Sequence, residues 1–287
     1  MELTENPPTL TELDPLVPEY LEAEHIDRYD PGRHKRVQHD VHASKIGKCQ
    51  RRMYWLHEIG KNPESSPYFP LGNMLEDFYG RALRERFGDK RVRQDVGCTI
   101  FLPAPGREGC IRIVGESDWV VFNQNAAGRG HVAVLPDGSR VARSSYDEEK
   151  EGYPTVEQAE SWDEYDGCID RVVETKTTTR LNYLDRYNRR GYDPVHLQQL
   201  TTYQHAFDAP GELTYVVRND LEERRYSVPL DASVWGQVKA RAMTQWSNRL
   251  SDTIPVTDTL NDQTGCEKMC PFVDKCKKVG GSQWDSE

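Results

Sequence analysis

Apolar positions recur with a helical period from Leu71, where Leu71, Met74, Leu75, Phe78, Tyr79 and Ala82 fall on one stripe. The same period returns over residues 194–207 and 231–250, the latter with Trp235, Val238, Ala242, Met243 and Trp246 on one side. Residues 44–59 predict another helix, capped by Ser44, with Met53, Tyr54 and Leu56 following a basic turn. Elsewhere the pattern shifts to short runs rich in β-branched and aromatic residues, at 95–102, 111–122, 169–176, 213–218 and 225–229, each predicting a strand. Helices, strands, helix, strands, helix is the order of an α/β layer structure, a mixed central sheet flanked by helices. Residues 123–167 are polar and contain a hairpin signal, Val132 to Leu135, then Pro136-Asp137-Gly138-Ser139, then Arg140 to Ala142, and read as an insertion in a sheet connection.

Residues 1–42 are rich in Pro, Glu and Asp without either period and form an acidic, polar extension before a body over 43–276 and a tail over 277–287. With 36% hydrophobic and 29% charged residues, and no run near the ~18 apolar residues of a membrane span, the expectation is a soluble protein with no membrane partner. No basic segment followed by an apolar one opens the chain, so the expected place is the cytoplasm. There, seven cysteines point to metal or reactivity before disulfides.

The net charge of −10 argues against nucleic acid as a partner until its distribution is followed. Residues 1–30 hold nine acids against one base, Arg28, and residues 147–166 nine acids against Lys150, so the remainder carries 35 bases and 29 acids. Residues 33–52 set seven bases against Asp40 alone. Such a patch suits phosphate binding, with Lys45, Lys48, Arg51 and Arg52 as the candidate DNA contacts; a solvated helix face is the alternative. Tyr54, Trp55 and Tyr203 are candidates for base stacking or for core packing.

Candidate chemistry is spread over four elements. Glu174 and Lys176 share a face of one strand, where a carboxylate can hold a divalent cation and the ammonium beside it can orient or deprotonate water or neutralise a phosphate. Gly115-Glu116-Ser117-Asp118 offers a second acid, as metal ligand or as turn residue. Glu76 lies between Gly72 and Gly80 on a helix face, as ligand or as an ordinary exposed glutamate, and Gln199 and Tyr203 share a face of a later helix. No Walker-type phosphate loop and no internal repeat is present.

Taken in order, Gly72 to Glu76, Gly115 to Asp118, Glu174 to Lys176 and Gln199 to Tyr203 resemble the four motifs of the RecB-like branch of the PD-(D/E)XK nuclease superfamily. The resemblance spans roughly residues 43–276 outside the insertion. It implies a restriction-endonuclease-like core in which Glu76, Asp118 and Glu174 bind Mg²⁺ or Mn²⁺, and Lys176 supports the attacking water. Gln199 and Tyr203 would then complete the catalytic site. Two departures stand out: Glu76 occupies a position where close relatives often have His, and about fifty residues separate Asp118 from Glu174 where relatives usually have a short hairpin.

Cys266, Cys270 and Cys276 are clustered in a polar segment, and Cys49 lies in the basic turn, whereas Cys98, Cys110 and Cys168 sit in apolar strand settings. The resemblance extends to the iron-sulfur subgroup, in which one early and three late cysteines hold a [4Fe-4S] cluster. It implies that Cys49, Cys266, Cys270 and Cys276 tie the ends, residues 43–60 and 263–280, together. Four thiolates also suit Zn²⁺.

The function expected from the resemblance is a metal-dependent DNA nuclease, similar to CRISPR-associated adaptation exonucleases and AddB-type nuclease domains. It would act as an exonuclease on single-stranded DNA in CRISPR adaptation and antiviral defense, recombination and repair, or viral DNA processing, with a helicase or CRISPR adaptation proteins as partners. The alternative from another class is a non-catalytic, zinc-stabilised DNA-binding module.

Overall fold

The strand-forming runs join in one mixed sheet of nine strands in the computed structural model. It describes residues 40–59, 68–106, 109–123, 130–146, 151–178, 181, 191–217, 221–251, 253–255, and 270, 272, 274, 276 and 278. The extension before residue 40, Cys266 and most of the tail lie outside the described residues. In chain order the strands are β1 (Val41–His42), β2 (Val92–Pro103), β3 (Cys110–Phe122), β4 (His131–Val134), β5 (Arg140–Arg143), β6 (Asp163–Glu164), β7 (Ile169–Thr178), β8 (Gly211–Val217) and β9 (Glu223–Val228). Across the sheet they run β6-β5-β4-β2-β3-β7-β8-β9, with β1 beside β3. The pairs β1 with β3, β2 with β4, and β7 with β8 are parallel; the others are antiparallel.

Six helices cover this sheet among the described residues: α1 (Ala43–Ile46), α2 (Gln50–Ile59), α3 (Tyr68–Phe87), α4 (Val156–Glu160), α5 (Pro194–Phe207) and α6 (Ala232–Leu250). On one face α3 buries Tyr79 and Leu83 against Val92, Trp119, Val121 and Val173. On the other, α1, α5 and α6 close the main core, with Ile46, Leu200, Tyr203, Phe207 and Val238 packed on Ile100, Ile113, Val120, Val172 and Leu213. The starts of α5 and α6 follow from local sequence. Asp193 accepts from the Val195 N–H at 2.9 Å ahead of Pro194, and Asp231 from the Ser233 N–H at 2.8 Å.

The single helix predicted over residues 44–59 is two, α1 and α2, broken at Gly47-Lys48-Cys49. At Gly47 the chain passes α5 so closely that a Cβ would lie 2.6 Å from Val195 Cα. Arg241 of α6 donates to the carbonyls of Ile46 and Lys48, both at 2.8 Å, and so takes up acceptors that a continuous helix would use. Ser44 is not a cap, because β1 pairs with Ile113 and Val114 and places His42 at the helix start.

Within residues 123–167, the described strands β4, β5 and β6 extend one side of the sheet. The predicted hairpin is β4 and β5, closed by Leu135 N–H to Ser139 O at 2.8 Å, with Gly138 at φ 89°. β4 lies parallel beside β2, and α4 covers a small core of Phe101, Ala133, Val141 and Ala159. The helix is opened by a capping box between Thr155 and Gln158.

The glycine at 80 is a packing device. A Cβ there would fall 2.0 Å from ring atoms of Trp119, which is fully buried and has no room to retreat. Gly80→Ala should lower stability by about 1–3 kcal/mol through overpacking, despite alanine's better helix propensity. A denaturant midpoint at or above the parent value would show that α3 does not depend on this contact.

Candidate active site

Glu174 and Lys176 alternate with Val173 and Thr175 along β7, so both project toward the α5 side of the sheet, in line with Val172 of the main core. Glu174 is 0% exposed, and its Oε1 accepts from Lys176 Nζ. The ladder between β3 and β7 runs from Phe122 only as far as Trp119 opposite Val173. Past that pair, β3 stays with β2 and β7 with β8, and the strands part. Asp118 stands at the parting: its Oδ2 accepts the Thr175 N–H at 2.7 Å and lies 3.9 Å from Lys176 Nζ. Asp118 is therefore within a strand, and the turn reading does not apply.

Across the β2–β3 ladder, Asp95 falls between the pairs Gln94 with Trp119 and Val96 with Ser117, opposite Asp118, and has a left-handed φ of 53°. Strict alternation would put Val92 and Val96 on one face, yet Val92 joins the α3 core and Val96 the α5 core. The irregular residue resets the alternation beside the site. Asp95 is an acid that the sequence reading missed, because a backbone reversal inside a strand leaves no periodic trace.

Glu76 reaches this place from α3. Burial raises its carboxyl to about 8, with Asp118 and Asp95 adding to the shift and Lys176 opposing it. Burial likewise raises Glu174 to about 8, with Asp118 adding and Lys176 opposing. For Lys176, burial works against the charged form, and Asp118 and Glu174 more than offset it, so its ammonium is held above the ordinary value. Three carboxyls thus share one ammonium.

A divalent cation suits this donor set. Glu174 Oε2 is buried without a hydrogen-bond partner, and the charge of Asp118 opposes the ionisation of both Glu76 and Glu174. Among the described residues no three His, Cys, Asp or Glu side chains stand ready as ligands of one ion. Asp118 Oδ2 and Glu174 Oε1 are engaged by Thr175 and Lys176.

The raised carboxyls give a pH signature. A glutamate whose folded value exceeds its unfolded one lends stability below about 4.5 and loses it as pH climbs through about 8. A cation that binds the ionised forms displaces their protons at low pH and meets none at high pH. Added Mg²⁺ or Mn²⁺ should therefore raise the melting temperature more at about pH 8.5 than at about pH 6. Equal shifts at both would detach the ion from these carboxyls.

Gln199 and Tyr203 close the site from α5. Gln199 Nε2 donates to Tyr203 Oη at 3.4 Å, and burial holds the Tyr203 hydroxyl well above its ordinary range. A Cβ on Gly115 would lie 3.1 Å from Tyr203 Oη and 2.9 Å from Ala43 Cβ, so the glycine of Gly115 to Asp118 is the seat of the tyrosine. Tyr203 and Tyr54 are both buried, which leaves half-buried Trp55 as the base-stacking candidate of the three. The same α5 face brings His196 to the site, and the i, i+3 spacing to Gln199 was the available signal for it.

The four predicted DNA contacts separate. Arg51 is 4% exposed and donates to Pro255 O at 2.9 Å and to Cys276 O at 3.5 Å, which corrects its expected place on the phosphate-facing patch. It fastens α2 to the C-terminal segment because those carbonyls have left regular structure and need donors. Lys45, Lys48 and Arg52 are half-buried. Burial pushes the Cys276 thiol up, opposed by Trp55 and Arg51, with Cys270 and Cys49 adding to the rise. Among the described residues these thiols do not make a group of three ligands for one ion, and Cys266 lies outside the described residues. Cys98 and Cys168 are buried as expected; Cys110 is half-buried.

Neither a protein-family model nor a curated protein matches the sequence. Among solved structures, the crystal structure of SSO0001 aligns over 94% of this chain and 96% of its own at 16% identity and a TM-score of 0.51, a likeness of fold. LHK-Exo in complex with dAMP covers 79% of this chain and 94% of its own at 11% identity and a TM-score of 0.42; LHK-Exo is described as an alkaline exonuclease from Laribacter hongkongensis. A phage related exonuclease from Haemophilus somnus 129PT covers 74% and 96% at 12% identity and a TM-score of 0.39. No helix among the described residues is long and apolar enough to cross a membrane.

Proposed function

We propose that the chain is a metal-dependent deoxyribonuclease that hydrolyses single-stranded DNA from an end. The observation that carries this reading is Glu174: fully buried, one oxygen on Lys176 and the other unpartnered, where β3 and β7 part beside Asp118 and Glu76. A buried carboxylate with an idle oxygen is expensive in a purely structural role and useful in binding a cation.

Glu76, Asp118 and Glu174 would hold Mg²⁺ or Mn²⁺, which when bound supplies a water acidic enough to attack phosphorus and charge to neutralise the phosphate. The chain's own residues do the positioning. Lys176, kept as an ammonium by Glu174 and Asp118, donates toward the attacking oxygen or the phosphate and is no base in this setting. Gln199 and Tyr203 form a wall that limits water on the α5 side. Hydrolysis adds water across the P–O bond, and the departing sugar oxygen takes up a proton.

In this reading Cys49, Cys266, Cys270 and Cys276 hold a [4Fe-4S] cluster that joins the chain ends beside the Arg51 clasp. Zn²⁺ is the competing occupant. Protein purified without oxygen should be brown and contain iron and acid-labile sulfide, both lost in Cys49→Ala; a colourless protein with one zinc per chain would transfer the site to zinc. The biological settings that suit the activity are CRISPR adaptation, recombination and repair, or viral DNA processing, with a helicase or adaptation proteins supplying single strands. The testing experiment compares free-ended and end-blocked single strands with Mg²⁺ and with chelator. Metal-dependent loss of the free-ended strand alone supports the exonuclease, and equal cleavage of both makes it an endonuclease.

A further inference from the structure

The face of α3 turned away from the sheet is apolar where a solvated helix face is ordinarily polar. Tyr79 and Leu83 are the side chains that α3 buries against Trp119 and Val121. Phe78 lies off that side of the helix: it is 56% exposed, Ala82 one turn later is exposed, and Leu75 three residues earlier is half-buried. Positions i, i+3 and i+7 form a continuous strip along a helix. Arg81 and Arg86, both exposed, flank this strip, with Glu85 the acid beside them. Over residues 81–93 six bases stand against two acids, Glu85 and Asp89. Two of the six are committed to the body, since Arg84 lies 5.0 Å above the Trp119 ring and Arg91 Nε donates to Phe122 O at 2.7 Å. Arg81, Arg86, Lys90 and Arg93 are exposed.

A complementary surface would set apolar side chains among carboxylates. Residues 10–27 of this chain have that composition: Leu10, Leu13, Leu16, Val17, Tyr20 and Leu21 stand among six acids, with no Lys or Arg. They lie outside the described residues, but the chain enters the structure at Asp40, whose carboxylate is held by Arg112 at 2.7 and 2.9 Å. Asp40 leads into β1 beside Ile113, and from there along β3 to Trp119, on which Gly80 of α3 rests, is about 20 Å. The chain between residues 27 and 40 can span about 43 Å. A tether of that length holds the segment near α3 at an effective concentration that a second molecule does not match in dilute solution.

We propose that residues 10–27 dock on the outer face of α3, with their leucines and Tyr20 against Leu75, Phe78 and Ala82 and their carboxylates toward Arg81 and Arg86. The docking stands apart from the nuclease reading, although α3 also carries Glu76. It removes from water an apolar strip that otherwise faces solvent, and it sets the acidic extension against a basic run of the body.

Limited chymotrypsin digestion of the full chain tests this, reading cleavage after Tyr20 or Leu21. Each rate is taken relative to that of the free peptide of residues 10–27 carrying the same substitutions. In wild type the cleavage should be slow, independent of protein concentration, and severalfold faster at about 0.5 M than at about 0.1 M salt. Phe78→Ser, and Arg81→Glu combined with Arg86→Glu, should each speed it about tenfold with little change in melting temperature, because these side chains are exposed. Adding Glu19→Lys, Glu22→Lys and Glu24→Lys to the arginine pair should restore most of the protection, a rescue that a purely local effect on α3 would not give. Equal relative rates in wild type and all variants would overturn the docking. Protection that grows with protein concentration, together with a dimer in sedimentation, would overturn it in favour of a second copy on this face. Should Phe78→Ser fail to fold, the arginine pair and its rescue decide the matter.

Discussion

Glu174→Ala, Asp118→Ala and Lys176→Ala should each reduce DNA cleavage by on the order of a thousandfold or more, because under the proposed function each removes charge that would act directly on the reacting phosphate or its metal. The three should differ in stability. Glu174 is wholly buried with an idle oxygen, so its removal relieves a penalty while opening a small void. Asp118 anchors the Thr175 N–H at the point where the ladder ends, and its loss frees a backbone donor. Measured kcat and thermal melts together separate the two effects. Loss of activity with a retained melt identifies chemistry, and parallel loss of both would make the cluster structural.

Arg112→Met should destabilise the protein by about 3–5 kcal/mol, the cost of leaving a buried charge without its partner. Arg112 Nε and Nη2 hold Asp40 Oδ1 and Oδ2 at 2.7 and 2.9 Å, and its Nη1 donates to the carbonyls of Tyr153 and Pro154. The two side chains are 13% and 3% exposed, so water screens the pair little. This one residue ties the entry to β1 to the chain leading into α4, and Arg249 adds a bond from α6 to Asp40 O at 2.7 Å. The double variant Arg112→Met with Asp40→Leu should recover part of the loss, since an apolar pair needs no compensation. A single variant within about 0.5 kcal/mol of wild type in a denaturant titration would show the pair to be dispensable.

How much of this was legible in the sequence follows from how local each cause is. The helices α3, α5 and α6 and the strands β3, β7 and β8 read correctly as elements, but the α3 stripe did not: Phe78 is 56% exposed and Ala82 is exposed, whereas Leu83, outside that stripe, is buried with Tyr79. Glu174 and Lys176 were paired by strand period alone, and Gln199 and Tyr203 by helix period. The break between α1 and α2 depends on Val195 and Arg241, far along the chain, so no local signal marks it beyond a glycine. β4 and β5 have four residues each, and their place in the sheet comes from pairing with β2, which a polar flanking composition conceals. Arg51 looked like its neighbours Lys48 and Arg52 because charge alone does not tell a phosphate contact from a carbonyl clasp. His196 and Asp95 needed the fold, one through Tyr215 and the other through a reversed backbone.

The most direct test of the central claim is hydrolysis of a free-ended single-stranded oligonucleotide by the full chain, run with Mg²⁺ or Mn²⁺, with chelator, and with Lys176→Ala in parallel. The predicted result is progressive shortening that requires the metal and disappears in the variant. Undiminished cleavage by Lys176→Ala, or none by wild type with either metal, would contradict it.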